Sequence, residues 1–170
     1  MENKVLVTYA SKYGATAGIA EKMGEVLNQE GVPADVIPVD EKPDATAYKA
    51  VILGSAVYIG AWRKGAARYL QANEKALAGR PVWLFSSGPT EEGDVDELLK
   101  GWQFPKKLQP VADRIKPRQI VNFHGSLNRE KLNALEKWMI EKVGAEFGDF
   151  RDWEAITTWT KAVAKEIKAA

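Results

Sequence analysis

The chain has 170 residues, 45% of them hydrophobic, which is enough for one sizeable core and close to the usual size of a single domain. Lysine plus arginine (24) nearly balance aspartate plus glutamate (23), so no global field points toward nucleic acid, an anionic membrane or a highly charged partner. Cysteine is absent, which excludes disulfides, thiol redox chemistry and cysteine-ligated metal clusters, so any redox chemistry needs an external cofactor.

Met1 to Lys4 lead into an apolar run only as long as a strand, without a signal-peptide core, and no run of 18 apolar residues occurs anywhere. A soluble, cytoplasmic protein without a transmembrane segment is expected. In chain order, residues 5–9, 36–39, 51–53, 82–85 and 120–123 are short runs of the kind found in strands buried on both faces. Helical spacing separates them. It appears at Ile19, Ala20, Met23, Val26 and Leu27, then at Ala66, Tyr69, Leu70, Asn73 and Leu77, then at Leu108, Val111, Ala112 and Ile115. Gly31 and Gly79, each followed two residues later by proline, read as helix stops. The link from Val39 to Val51 contains Pro43 and leaves room for only a turn or two of helix. After the fifth strand a helix places Leu132, Leu135, Met139 and Val143 on one face, and a last helix starts after Asp152 as N-cap. This rhythm predicts one domain over residues 1–170, an α/β fold with a doubly wound five-stranded parallel sheet and helices on both faces.

Ligands of such sheets bind beyond the carboxyl ends of the strands, where strand order reverses. The first such loop is Ser11 Lys12 Tyr13 Gly14 Ala15 Thr16, directly before the first amphipathic helix. Two readings stand side by side. Hydroxyls, a small residue and helix N-terminal N–H groups make a cradle for a phosphate dianion; alternatively Ser11 and Thr16 cap the helix and Gly14 turns the chain. No Gly-x-Gly-x-x-Gly follows a strand and no Gly-Lys-Ser/Thr occurs, so dinucleotide and nucleoside-triphosphate readings lose support. A phosphoacceptor domain needs acidic residues where this chain has Thr8 Tyr9 and Leu53 Gly54 Ser55.

The stretch from Val7 to Ala20 resembles the flavodoxin phosphate-loop signature, with Tyr9, Ser11, Gly14, Thr16 and Ala20 at its defining positions and departures at Thr8 and Met23. The resemblance implies the flavodoxin-like strand order 2-1-3-4-5 and FMN as cofactor. It places the phosphate in the loop formed by Ser11, Lys12, Tyr13, Gly14, Ala15 and Thr16. It also implies two ring loops: Ser55, Ala56, Val57, Tyr58, Ile59 and Gly60 with Trp62 nearby, and Ser86, Ser87 and Gly88. Ordinary packing at a strand end is the other reading of Tyr58 and Trp62. No acid or base is assigned a catalytic role, and no metal site is expected.

In the second half, Gly125 Ser126 Leu127 and the Asp152 Trp153 Glu154 stretch are similar to the flavodoxin-like, menaquinone-dependent protoporphyrinogen dehydrogenase family. At Tyr58 Ile59 the chain departs from that family's basic residue followed by tyrosine. Residues 125–151 read as an insertion, which in such relatives implies closeness to a quinone or a membrane. The plainer reading is a helix whose Leu132, Leu135 and Met139 cover the sheet edge while its lysines are solvated, since Glu130, Glu136, Glu141 and Glu146 dilute the positive face. His124, the one histidine, reads as structural or solvated ahead of a proton relay. The acidic run Glu91, Glu92, Asp94, Asp96 and Glu97 reads as a solvated loop or helix start. Three functions follow: an FMN oxidoreductase passing electrons from a small substrate to a quinone, a flavodoxin carrier between redox proteins, or a non-catalytic interaction module. Near-neutral charge favours the first over the second, and the intact phosphate loop disfavours the third.

Overall fold

The structure is a computed structural model describing residues 2–170. Its first strand, β1 (Glu2–Ala10), leads through the 11–14 loop into α1 (Ala15–Gln29) and back to β2 (Ala34–Pro38). Two 3-10 turns, Val39–Glu41 and Ala45–Ala47, fill the short link that contains Pro43. Then follow β3 (Tyr48–Tyr58), the two-residue β4 (Ala61–Trp62), α2 (Lys64–Ala72), α3 (Glu74–Ala78) and β5 (Val82–Ser87). The remaining elements are α4 (Val95–Leu98), α5 (Gln109–Ile115), β6 (Gln119–Phe123), β7 (Ser126–Leu127), α6 (Ala134–Val143), β8 (Gly148–Asp149) and α7 (Trp153–Ala169), with further 3-10 turns at Lys106–Leu108 and Arg129–Lys131.

The parallel strands lie in the order β2-β1-β3-β5-β6, which is the expected order 2-1-3-4-5 once the hairpin strand β4 is set aside. Period-two alternation sends Leu6, Val51, Leu53 and Leu84 to one face, against Leu70 and Leu77 of α2 and α3 and Val111 and Ile115 of α5. Val5, Val7, Ile52, Trp83 and Phe85 point to the other face, against Ile19, Met23 and Leu27 of α1 and Ile156, Val163 and Ile167 of α7. Both faces are covered, so the strands read as continuous apolar runs. Tyr69 ties α2 to the Pro43 link, its hydroxyl donating to the Pro43 carbonyl at 2.7 Å, and burial pushes its phenol up to about 12.

Three expectations change. The helix expected through Asn73 and Leu77 is two helices, because Asn73 leaves helical geometry (φ −104°, ψ 15°) and its side-chain amide donates to the Tyr69 carbonyl. Gly31 turns left-handed at φ +80° as a helix stop should, whereas Gly79 ends α3 at φ −89° and needs no special freedom. The third concerns residues 125–151. Leu132 lies before α6 and is buried, but Leu135, Met139 and Val143 are 64%, 36% and 68% exposed, and Ile140 is the side chain α6 buries. The helix therefore does not cover the sheet edge. A capping box between Asn133 and Glu136 fixes its start, and the β7–β8 ladder closes the segment on itself.

Candidate cofactor site

At the carboxyl end of β1 the chain turns at Gly14, whose φ of +91° a side chain would disfavour, and enters α1. The Ser11 hydroxyl accepts from the Gly14 N–H at 3.1 Å, so Ser11 caps the turn as one of the two sequence readings proposed. Thr16 does not. Its hydroxyl is wholly buried in the first turn of α1 with no hydrogen-bond partner among the described residues. The first helical hydrogen bond runs from Gly18 N–H to Gly14 C=O at 3.0 Å, which leaves the N–H groups of Ala15, Thr16 and Ala17 ahead of it. No acidic residue occupies that first turn, so the positive end of the helix is not offset locally. A buried orphan donor beside unpaired amides at a long helix's N-terminus has the chemistry an anion would need.

The loop after β3 is a tight hairpin. Tyr58 pairs with Ala61, and Ile59 and Gly60 between them both take positive φ, 49° and 70°, the turn that matches strand twist. An isoleucine there is strained, and it stands 77% exposed beside the half-exposed Tyr58. Ser55 is buried beneath, donating to the Ala56 carbonyl at 2.8 Å and accepting from the Arg63 N–H at 3.0 Å, so its hydroxyl holds the hairpin. Trp62 is likewise internal. Its indole N–H donates to the Ser86 hydroxyl at 2.8 Å and its ring meets Phe104 edge-on at 5.2 Å, so of the two aromatics in this loop Tyr58 alone faces outward.

The loop after β5 lies against the neighbouring strand end. Gly88 N–H donates to Phe123 C=O at 3.0 Å and Gly125 N–H to Pro89 C=O at 2.9 Å, while Ser87 is buried. Gly88 packs near Val57, and Trp102 stands close to Gly60. Val57 and Gly88 therefore meet where the two loops join, and Ala56 pairs with Ser87 beside them. The acidic run beyond is solvated, with Asp94 capping α4 by accepting from Glu97 N–H at 3.1 Å. His124 is half-buried directly after β6.

The 125–151 segment reaches the 11–16 loop, a juxtaposition the sequence did not disclose. Lys12 pairs with Glu136 at 2.8 Å and holds its carboxyl below the usual range. Lys131 Nζ donates to the Tyr13 carbonyl at 3.1 Å, and Arg151 donates to the Ala15 carbonyl at 3.2 Å. Arg151 also grips Asp149 with two side-chain hydrogen bonds, which lowers the Asp149 pKa, and lies over the Trp153 ring at 4.6 Å. Gly18 makes room for that guanidinium, since a Cβ there would fall 2.6 Å from it. Between loop and segment lies an open cleft of about 500 Å³. No helix is long and apolar enough to cross a membrane, and no metal-binding cluster occurs, among the described residues.

A family model described as a flavodoxin domain matches residues 6–153, most of the chain, and the chain belongs to the flavodoxin family. FMN is the cofactor this membership implies and electron transfer its chemistry. No curated protein matches the sequence. Among solved structures, a flavodoxin from the domain Archaea is similar with TM-score 0.62 at 12% identity, covering 97% of this chain and 99% of that one. Flavodoxin 2 from Bacillus cereus gives 0.59 at 19% identity, with 96% and 99% covered. Rubredoxin oxygen:oxidoreductase from Desulfovibrio gigas gives 0.65 at 16% identity over 99% of this chain but 37% of that protein, of whose length this chain spans little more than a third. These likenesses establish the fold. The residues present fit FMN, because the buried Thr16 hydroxyl and the free amides of the first turn are what a phosphate requires.

Proposed function

We propose that the chain is an FMN-dependent oxidoreductase that passes electrons from a small substrate to a quinone. In this reading residues 11–16 hold the FMN phosphate, and the isoalloxazine ring lies between the hairpin of residues 55–60 and the loop of residues 86–88. The observation that carries it is the hairpin tip, where a strained Ile59 and Tyr58 present apolar surface to solvent at the switch point of the sheet. A lipophilic acceptor suits that rim better than a charged one. FMN supplies the electron chemistry when bound; the protein's part is to hold and orient it, to set the polarity at its edge and to admit the acceptor. Ser55 and Ser86 contribute by fixing the hairpin and Trp62 behind it, so that backbone groups rather than their hydroxyls face the ring.

The outward face of α6, with Leu135, Trp138, Met139 and Val143, supports peripheral contact with a membrane surface where quinones dissolve. Protoporphyrinogen is the electron donor suggested by the Asp152 Trp153 Glu154 stretch. That stretch also has a local role, since Asp152 caps α7 and Trp153 stacks on Arg151. One observation favours a carrier instead: the solvated acidic run at 91–97, beside the loop of residues 86–88, is a surface to which a cationic redox protein would dock.

The test reduces the FMN-loaded protein anaerobically and mixes it with a menaquinone analogue or with a cationic one-electron protein acceptor. The oxidoreductase reading expects rapid reoxidation by the quinone, slowed by about tenfold in Tyr58→Ala through loss of positioning at the ring edge. Slow quinone reoxidation with rapid transfer to the protein acceptor would select the carrier.

A further inference from the structure

We propose that Lys131, from the 125–151 segment, is the charge partner of the phosphate held by the 11–16 loop, and that docking of the segment and binding of the phosphate end are linked. The proposal rests on the FMN reading above and assigns a binding residue outside the loop that the flavodoxin signature covers. A phosphate brings nearly two negative charges into a cradle whose donors are neutral: the Thr16 hydroxyl and the first-turn amides of α1. The loop's own cation does not answer them. Lys12 is held by Glu136 at 2.8 Å, and that pair carries no net charge.

Two cations of the segment touch the loop, and they differ. Arg151 is neutralised by Asp149 through two side-chain hydrogen bonds, so its bond to the Ala15 carbonyl anchors without adding field. Lys131 has a carbonyl as its hydrogen-bond partner and no ion pair among the described residues. Its ammonium lies against the crest of the loop, 3.5 Å from where a Cβ on Gly14 would stand. The cleft beside it leaves the side chain free to turn toward an anion. Lys131 is therefore the unspent positive charge at the cradle, delivered from 118 residues away in sequence. The segment meets the loop through these polar contacts and buries Leu132 and Ile140, while most of α6 is solvent-facing, so its docking is held by few groups. A ligand that binds the docked arrangement more tightly stabilises docking by the same amount.

The experiment measures FMN and riboflavin affinity by flavin fluorescence for the native chain, Lys131→Ala, Lys131→Arg and Lys142→Ala, at low and moderate salt, with amide exchange over residues 128–149 as a second readout. Lys142 is the control because it belongs to the same segment but lies over the Trp138 ring, 4.4 Å from its centroid. The expected result is that Lys131→Ala weakens FMN by about tenfold, leaves riboflavin unchanged and flattens the salt dependence of FMN binding, as loss of one charged hydrogen bond would. Lys131→Arg should recover most of the loss and Lys142→Ala should match the native chain. FMN should slow exchange across the segment in the native protein, and less so in Lys131→Ala. An unchanged ratio of FMN to riboflavin affinity in Lys131→Ala, or equal loss of both ligands, would overturn the proposal while leaving the loop as the phosphate site. If the native chain itself shows no preference for FMN over riboflavin, the site reading fails and this proposal with it.

Discussion

Gly54→Ala will destabilise the protein by roughly 2 to 3 kcal/mol, the upper part of the range for overpacking a rigid core. A Cβ at Gly54 would fall far inside van der Waals distance of the Phe85 ring, whose Cε1, Cζ and Cε2 atoms lie directly over it. The ring has nowhere to go. Phe85 is fully buried on the neighbouring strand, beside Phe123 at 6.3 Å between centroids, and Phe123 is in turn edge-on to Trp159 at 5.7 Å. Urea unfolding should show a lower midpoint at unchanged slope, the mark of altered stability without altered compactness. Gly88→Ala is the matched control, because a Cβ there meets only Val57 at 3.7 Å and should change stability by less than about 0.5 kcal/mol. Gly54 stands one residue before Ser55, and Phe85 one before Ser86, so repacking here also displaces the strand ends that lead into the loops of residues 55–60 and 86–88.

Thr16→Val should weaken FMN by roughly 1 to 3 kcal/mol, the cost of removing one donor from a charged acceptor, and should leave riboflavin almost untouched. The native side chain is isosteric with valine, wholly buried, and its hydroxyl bonds nothing among the described residues. For the free protein, then, the substitution removes an unsatisfied buried polar atom, and folding stability should hold or rise. Opposite signs for stability and FMN affinity separate a ligand contact from a helix cap. Titration calorimetry with both ligands, alongside a urea melt, reads both quantities. Equal loss of the two flavins would mean damage to the start of α1.

The strands were legible because both faces of the sheet are covered, so each strand is a short apolar run between turns; their order followed only from the resemblance carried by the Ser11 to Thr16 loop after the first of them. The hairpin after β3 was not, because Ile59 takes a left-handed turn position where Asn or Gly is the usual signal. Trp62 faces inward through a hydrogen bond to Ser86, a partner 24 residues away that spacing cannot reveal. The amphipathic spacing of Leu135, Met139 and Val143 was real, yet it marks an outward face, since periodicity identifies a stripe without saying what covers it. Lys131 and Arg151 illustrate the same limit. Each looks like one more surface cation until the fold brings it to the carbonyls of Tyr13 and Ala15.

The central claim, that residues 11–16 form a phosphate cradle and the chain is an FMN protein, is tested most directly by the affinities of the native chain for FMN and riboflavin under the same conditions. The two ligands share the ring and differ by the phosphate alone. Several charge-assisted hydrogen bonds from the loop should make FMN at least about a hundredfold tighter. Equal affinity for the two would contradict the assignment.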